Sequence, residues 1–220
     1  METSSKLSTP AVARAPRRDA TENREAILVA ASSALNADIE ASLETIAVEA
    51  GLSRRAIYGH FATRDDLVTE VLARGAERVS ASLIPVAHPD ARVEIALFGA
   101  TLWAEVAHIR VMAQLAVRGP HRDRVSLALE PARQTLLGSV ERGVASGKLR
   151  ADIEPKTLAR LIVGAAISVL DEATRTGMSG REGHRLVMLS GLSVAGLSWR
   201  EANDIISTSP ELQFVEESLP

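Results

Sequence analysis

The stretch Ser42-Leu43-Glu44-Thr45-Ile46-Ala47-Val48-Glu49-Ala50-Gly51-Leu52-Ser53-Arg54-Arg55-Ala56-Ile57-Tyr58-Gly59-His60-Phe61 reads as two short helices joined by a three-residue turn. Leu43, Ile46, Ala47 and Ala50 recur at the three- and four-residue spacing of one helical face. Ser42 is placed to cap that helix, and Gly51 ends it as a residue free to adopt positive φ. Leu52 is expected as a buried anchor, and Ser53 caps the next helix, whose inner face is Ile57 and Phe61. Two short helices around such a turn have the spacing of a helix-turn-helix. On the second helix Arg55, Ala56 and Gly59 point away from the inner face, flanked by Arg54, Tyr58 and His60. Arginines at the start of such a helix suit bidentate contact with guanine O6 and N7. Ser42, Thr45, Tyr58 and His60 suit phosphate oxygens, as does Arg64. Ser53, Ala56 and Gly59 complete the candidate DNA-facing set. Helical clusters with a glycine turn also occur in proteins that touch no DNA, and Tyr58 equally suits the edge of a core.

Outward from this stretch the helical period continues in both directions. Ile27, Leu28, Ala31, Ala34 and Leu35 predict an apolar face on a helix starting near Ala20, with Asp19 and Glu22 at capping-box spacing. Thr63, with Asp66 three residues on, predicts the cap of a longer helix ending before Pro85. Further helices are predicted over 92–117, 124–146, 157–176 and 181–197, with a short one near 199–206. No segment alternates with a period of two. The fold class read here is all-α: an N-terminal three-helix DNA-binding domain over 19–68 and a larger helical domain over 69–207. A basic arm (1–18, with Arg14, Arg17 and Arg18) precedes them, and a frayed polar tail (208–220) follows.

Composition narrows the function. The chain has 220 residues, no cysteine, 46% apolar residues and a net charge of −3. Thiolate chemistry, disulfides and cysteine zinc sites are excluded, and no global basic field marks a nucleic-acid partner, so local patches must decide. Residues 50–64 carry Arg54, Arg55 and Arg64 with no acid among them. The longest apolar runs fall short of a membrane span, and the N-terminus has no apolar signal segment; a cytoplasmic protein is expected, with no membrane partner. His60, His88, His108, His121 and His184 show no metal-ligand spacing. Phosphate-binding and nucleophile-elbow motifs are missing as well, so neither a metal nor a cofactor is expected, and the chain is read as no enzyme. Glu105 and His108, one helical turn apart, are the nearest approach to an acid–base pair.

The segment from Asn23 to Leu72 closely resembles the DNA-binding domain of the tetracycline-repressor (TetR) family of bacterial regulators. The residues that carry the resemblance are Ile46-Ala47, Ala50-Gly51-Leu52-Ser53, Ile57-Tyr58, His60-Phe61, Arg64 and Leu67. It covers about a quarter of the chain. Departures are Leu35 for a customary phenylalanine, Ala56 where serine or threonine is common, and Arg64 where lysine is common. With Ala56 and Gly59 short of side-chain donors, base reading should rest on Arg54 and Arg55.

The resemblance implies a homodimer that reads a pseudo-palindromic operator and a ligand pocket among the helices of residues 92–146. Occupancy of that pocket would shift the fourth helix and release the DNA. Its candidate lining residues are Phe98, Trp103, His108, Met112 and Gln114. The two most apolar late helices, 157–176 and 181–197, are wide enough in their apolar faces to need burial on two sides, by the core and by a second copy. The function expected is therefore a transcriptional regulator, a repressor relieved by a small-molecule effector. The rival classes are an all-helical enzyme and an adaptor that binds another protein through the late helices.

Overall fold

The structure is a computed structural model that describes residues 16–215, with side chains from Ala20 onward. These residues form eleven α-helices and no strand, and the chain divides into two compact units between Leu67 and Val68.

The first unit begins with α1 (Pro16–Ala37). Proline at the first helical position has its φ preset and needs no partner for a missing N–H, so the helix starts before Ala20. Asp19 consequently lies inside α1 and is not its N-cap. The arm expected over 1–18 lies outside the described residues as far as 15, Arg14 included, and Arg17 and Arg18 belong to the first turn of α1. Ile27, Leu28, Ala31, Ala34 and Leu35 form the buried face of α1. They meet Leu43, Ile46 and Ala47 of α2 (Leu43–Glu49), and Ile57 of α3 (Arg54–His60) and Phe61 complete the core. Leu52, expected as a buried anchor, is only half-buried. α4 (Arg64–Leu83) is opened by Thr63, whose N–H donates to Asp66 Oδ2 (3.1 Å) while Asp66 N–H donates to Thr63 Oγ1 (3.1 Å).

The second unit contains α5 (Ala91–Val106), α6 (Arg110–Arg118), α7 (Arg122–Ala128), α8 (Glu130–Ala145), α9 (Pro155–Thr176), α10 (Gly180–Val194) and α11 (Trp199–Thr208). α5 packs against α8 and α10, and α9 lies against α6, α8 and α10. Where α5 meets α10 the backbone of Gly183 lies directly on the indole of Trp103, an approach that any side chain at 183 would prevent. Glu94, buried on α5, accepts from Ser139 Oγ (2.7 Å) and from Arg142 Nη2 (2.5 Å) of α8, which satisfies a carboxylate that burial would otherwise penalise. Asp90 caps α5 and takes Arg92 and Lys148 as partners. The Arg92 guanidinium above all holds its carboxyl far below the usual carboxylate range.

Two of the predicted helices prove to be broken. The helix expected over 92–117 is α5 and α6, bent by 111° at Ala107–Ile109. Neither proline nor glycine marks the bend. Arg110 closes it, donating Nε to Ala107 O at the break (2.9 Å) and Nη1 to Ala173 O near the C-terminus of α9 (3.0 Å), so that its guanidinium ties the bend to α9. The helix expected over 124–146 is α7 and α8, and here Pro131 explains the break. Its nitrogen has no proton for the carbonyl four residues back, whereas it suits the first turn of a new helix. The tail also departs from expectation. A 3₁₀ turn, Pro210–Leu212, docks on α5 with Leu212 buried in the main core, and the Phe214 ring packs edge-on against His184.

Within one chain the late helices are covered unevenly. Leu158, Ile162 and Val169 of α9 and Val187 and Leu192 of α10 are buried. Leu161 keeps 47% exposure, Gly164 is exposed, and Ala165, Leu186, Leu189 and Leu197 are half-buried. No single helix among the described residues is long and apolar enough to cross a membrane.

Candidate nucleic-acid interface

The first unit presents α3 on a turn fixed by local chemistry. Ser42 accepts the Thr45 N–H at its Oγ (3.1 Å), and the two hydroxyls lie 2.9 Å apart. Gly51 has φ +67°, the left-handed conformation the turn requires. Ser53 accepts the Ala56 N–H (3.2 Å), starting α3 with four residues between it and the end of α2. Both serines act as acceptors for helix amides, so each hydroxyl proton can turn outward. At the far end of α3, Arg24 of α1 donates to His60 O (3.3 Å) and lies over the Phe61 ring, 4.4 Å from its centroid. A cation at a helix C-terminus is favourable, and this one pins α3 against the core.

The outward face that results is polar and open. Ser42, Thr45, Ser53, Arg54, Arg55, Tyr58 and Gly59 are exposed, and Ala56, His60 and Arg64 are half-buried. Arg55 engages no carboxylate among the described residues. Arg64 is placed differently from the expectation of a simple phosphate contact. Its Nε donates to Ala41 O (2.9 Å) and its Nη2 to Ile39 O, so the guanidinium ties down the loop between α1 and α2.

Sequence reading passed over Glu44. Its Oε1 accepts from Tyr58 OH (3.1 Å) and forms an ion pair with Arg54 Nη2 (3.0 Å), and the Arg54 guanidinium lies 5.5 Å from the Tyr58 ring centroid. Backbone N–H donation at the start of α2, then the Tyr58 hydroxyl and the charge of Arg54, lower the carboxyl pKa. The signal in the sequence was an acid in the first turn of α2, ahead of two basic residues at the start of α3.

Phe98 and Trp103 belong to the main core of the second unit, and Met112 is buried outside that cluster. Trp103 donates its indole N–H to Gly180 O (2.9 Å), and Gln114 donates to Asp171 (3.1 Å). His108 is exposed at the bend, and Glu105 takes Ser82 Oγ (2.7 Å) and Arg78 (3.7 Å) as partners.

Residues 27–71 match the family model described as bacterial regulatory proteins, tetR family. The N-terminal domain is a TetR-family DNA-binding domain. Solved structures extend the TetR likeness over most of the chain. RolR in complex with resorcinol aligns at 16% identity and TM-score 0.65, over 90% of this chain and all of that one (100%). A TetR transcription regulator from Haloarcula marismortui aligns at 20% identity and TM-score 0.66, over 80% and 97%. SmeT, the repressor of the Stenotrophomonas maltophilia multidrug efflux pump SmeDEF, aligns at 20% and 0.62, over 78% and 91%. At these identities the likeness establishes the fold of a TetR-family transcriptional regulator, an all-helical architecture with a larger C-terminal domain. No curated protein sequence matches the chain significantly.

Proposed function

We propose that the chain is a cytoplasmic, sequence-specific repressor that binds a pseudo-palindromic operator as a homodimer and is released by a small molecule. The observation that carries the DNA-binding part is the outward face of α3. Arg54 and Arg55 stand exposed at the start of a short helix that Ser53, Gly51 and Arg24 hold rigidly in place. Arg54 and Arg55 read base edges. Ser42, Thr45, Ser53, Tyr58, His60 and the remaining donors of Arg64 meet phosphates, and the helix N-termini add their own dipoles. Ala56 offers a methyl contact for thymine. Gly59, with no side chain and nothing within 4 Å of a built Cβ, lets the groove edge approach the helix.

The test is Arg55→Ala, measured as affinity for a selected operator duplex and for that duplex altered at one position per half-site. The substitution should cost about 1–3 kcal/mol and relax preference at that position. Unchanged affinity with unchanged preference would remove Arg55 from the reading.

Release by an effector is supported by the solved RolR relative, which holds resorcinol. In this chain the effector would enter the second unit, among the helices from 91 to 145, with Phe98, Trp103, His108, Met112 and Gln114 as the residues to probe. Coupling of about 1–3 kcal/mol between effector and operator must be reciprocal. A compound that weakens operator binding by a given factor should itself bind operator-bound protein that same factor more weakly. A compound that binds with equal affinity to free and DNA-bound protein would not be the effector.

A further inference from the structure

We propose that Glu44 is a specificity-determining residue, a carboxylate in the DNA-reading face that suppresses binding to non-operator DNA by holding Arg54 and Tyr58. The inference rests on the reading of that face as the DNA-binding surface.

One oxygen of Glu44 accepts the Tyr58 hydroxyl and pairs as an ion with the Arg54 guanidinium, so three side chains from two helices form a single unit. Arg54 and Tyr58 stand one helical turn apart on α3, which places both over Glu44 of α2. The assembly is open to solvent, with side-chain exposures of 72% for Arg54 and 44% for Glu44, so a duplex can reach it. Two consequences follow for DNA. The negative charge cancels one positive charge of the reading face, which weakens its attraction to any phosphate backbone regardless of sequence. The carboxylate also fixes the Arg54 side chain through one Nη2 contact, while the other donors of the guanidinium stay available to a guanine edge. Indiscriminate binding therefore loses one contact, whereas a matching base still meets an arginine already ordered for it. Phosphate-directed arginine and base-directed arginine differ in this respect: the first is weakened by a neighbouring carboxylate, and the second is aimed by it.

The experiment compares full-length wild type, Glu44→Gln and Glu44→Ala, binding the selected operator and a scrambled duplex of equal length across a range of salt. Circular dichroism melts establish that each variant is folded. Freed of the carboxylate, Arg54 makes one more phosphate contact on scrambled DNA. The slope of log affinity against log salt should then steepen by about 0.9, which is about eightfold tighter binding at 0.1 M salt. Operator affinity should rise by less, so the ratio of operator to scrambled affinity falls, further in Glu44→Ala than in Glu44→Gln. An unchanged salt slope on scrambled DNA, or a loss of operator affinity with the ratio preserved, would overturn the assignment and leave Glu44 as a surface residue of α2. Failure of the underlying reading looks different: wild type itself would prefer no duplex.

Discussion

Gly183→Ala is expected to destabilise the second unit by about 3 kcal/mol, lowering its melting temperature by roughly 6–12 °C. A Cβ at 183 would sit 1.9 Å from Trp103 Cζ2, 2.2 Å from Cη2 and 2.5 Å from Cε2, far inside van der Waals contact. The indole has no easy way aside. It is 2% exposed, its N–H is held by Gly180 O, and the Arg110 guanidinium stacks over it 5.4 Å from the ring centroid. Relief therefore requires α5 and α10 to separate, which opens the centre of the main core. Gly75→Ala on α4 is the control. Nothing lies within 4 Å of a Cβ there, so the same change should stabilise by about 0.5–1 kcal/mol through helix propensity. Thermal melts of the two variants beside wild type decide the matter. An unaltered melting temperature for Gly183→Ala would mean that α5 and α10 do not pack this closely.

Leu161→Glu is expected to give a folded monomer whose operator affinity falls about 10²–10⁴-fold. Two reading heads joined in one dimer bind the second half-site at the high effective concentration that linkage supplies, and separating them forfeits it. Folding should survive because Leu161, at 47% exposure, lies away from the core that Leu158 (0%) and Ile162 (6%) fill. A charge placed there meets water in one chain but would be buried between two. The partly exposed Ala165, Leu186 and Leu189 extend the same apolar surface across α9 and α10. Sedimentation at micromolar concentration, together with circular dichroism, checks both halves of the expectation. A wild-type chain that sediments as a monomer would refute the dimer reading.

The N-terminal unit was legible because its instructions are local. Ser42, Ser53 and Thr63 each bond an amide three residues on, and Gly51 turns the chain at its own φ, so the starts of α2, α3 and α4 and the turn between α2 and α3 are encoded within one turn of themselves. The face of Ile27, Leu28, Ala31, Ala34 and Leu35 followed from helical period alone, and all five are buried. What escaped the reading is set by partners distant in sequence. The bend at Ala107–Ile109 depends on Arg110 reaching Ala173, and burial of Leu212 depends on docking against α5. Pro131 carried a local signal that the unbroken helix predicted over 124–146 overlooked, since a proline that ends one helix serves equally in the first turn of the next.

The same division runs through the functional residues. Period and spacing brought out Arg54, Arg55 and Tyr58, but the carboxylate that joins Arg54 to Tyr58 comes from the neighbouring helix, fourteen residues before Tyr58. Trp103 was a candidate for an effector pocket because an aromatic at helical spacing suits a pocket wall or a core equally. Gly183, on a helix far along the chain, lies directly against its indole, and no composition or periodicity could have paired the two. Arg64 shows the converse. Its charge suggested a phosphate, and the open carbonyls of Ile39 and Ala41 take two of its donors.

The central claim is that the face of α3 reads DNA sequence twice over, through a symmetric dimer. Selection of duplexes from a random pool by the full-length chain, followed by affinity against salt for the winners, tests it most directly. The account predicts a pseudo-palindromic sequence with half-site centres about 34 Å apart and a log–log salt slope steeper than that of a single reading head. A pool that yields no enriched sequence, with only weak salt-sensitive binding throughout, would contradict it.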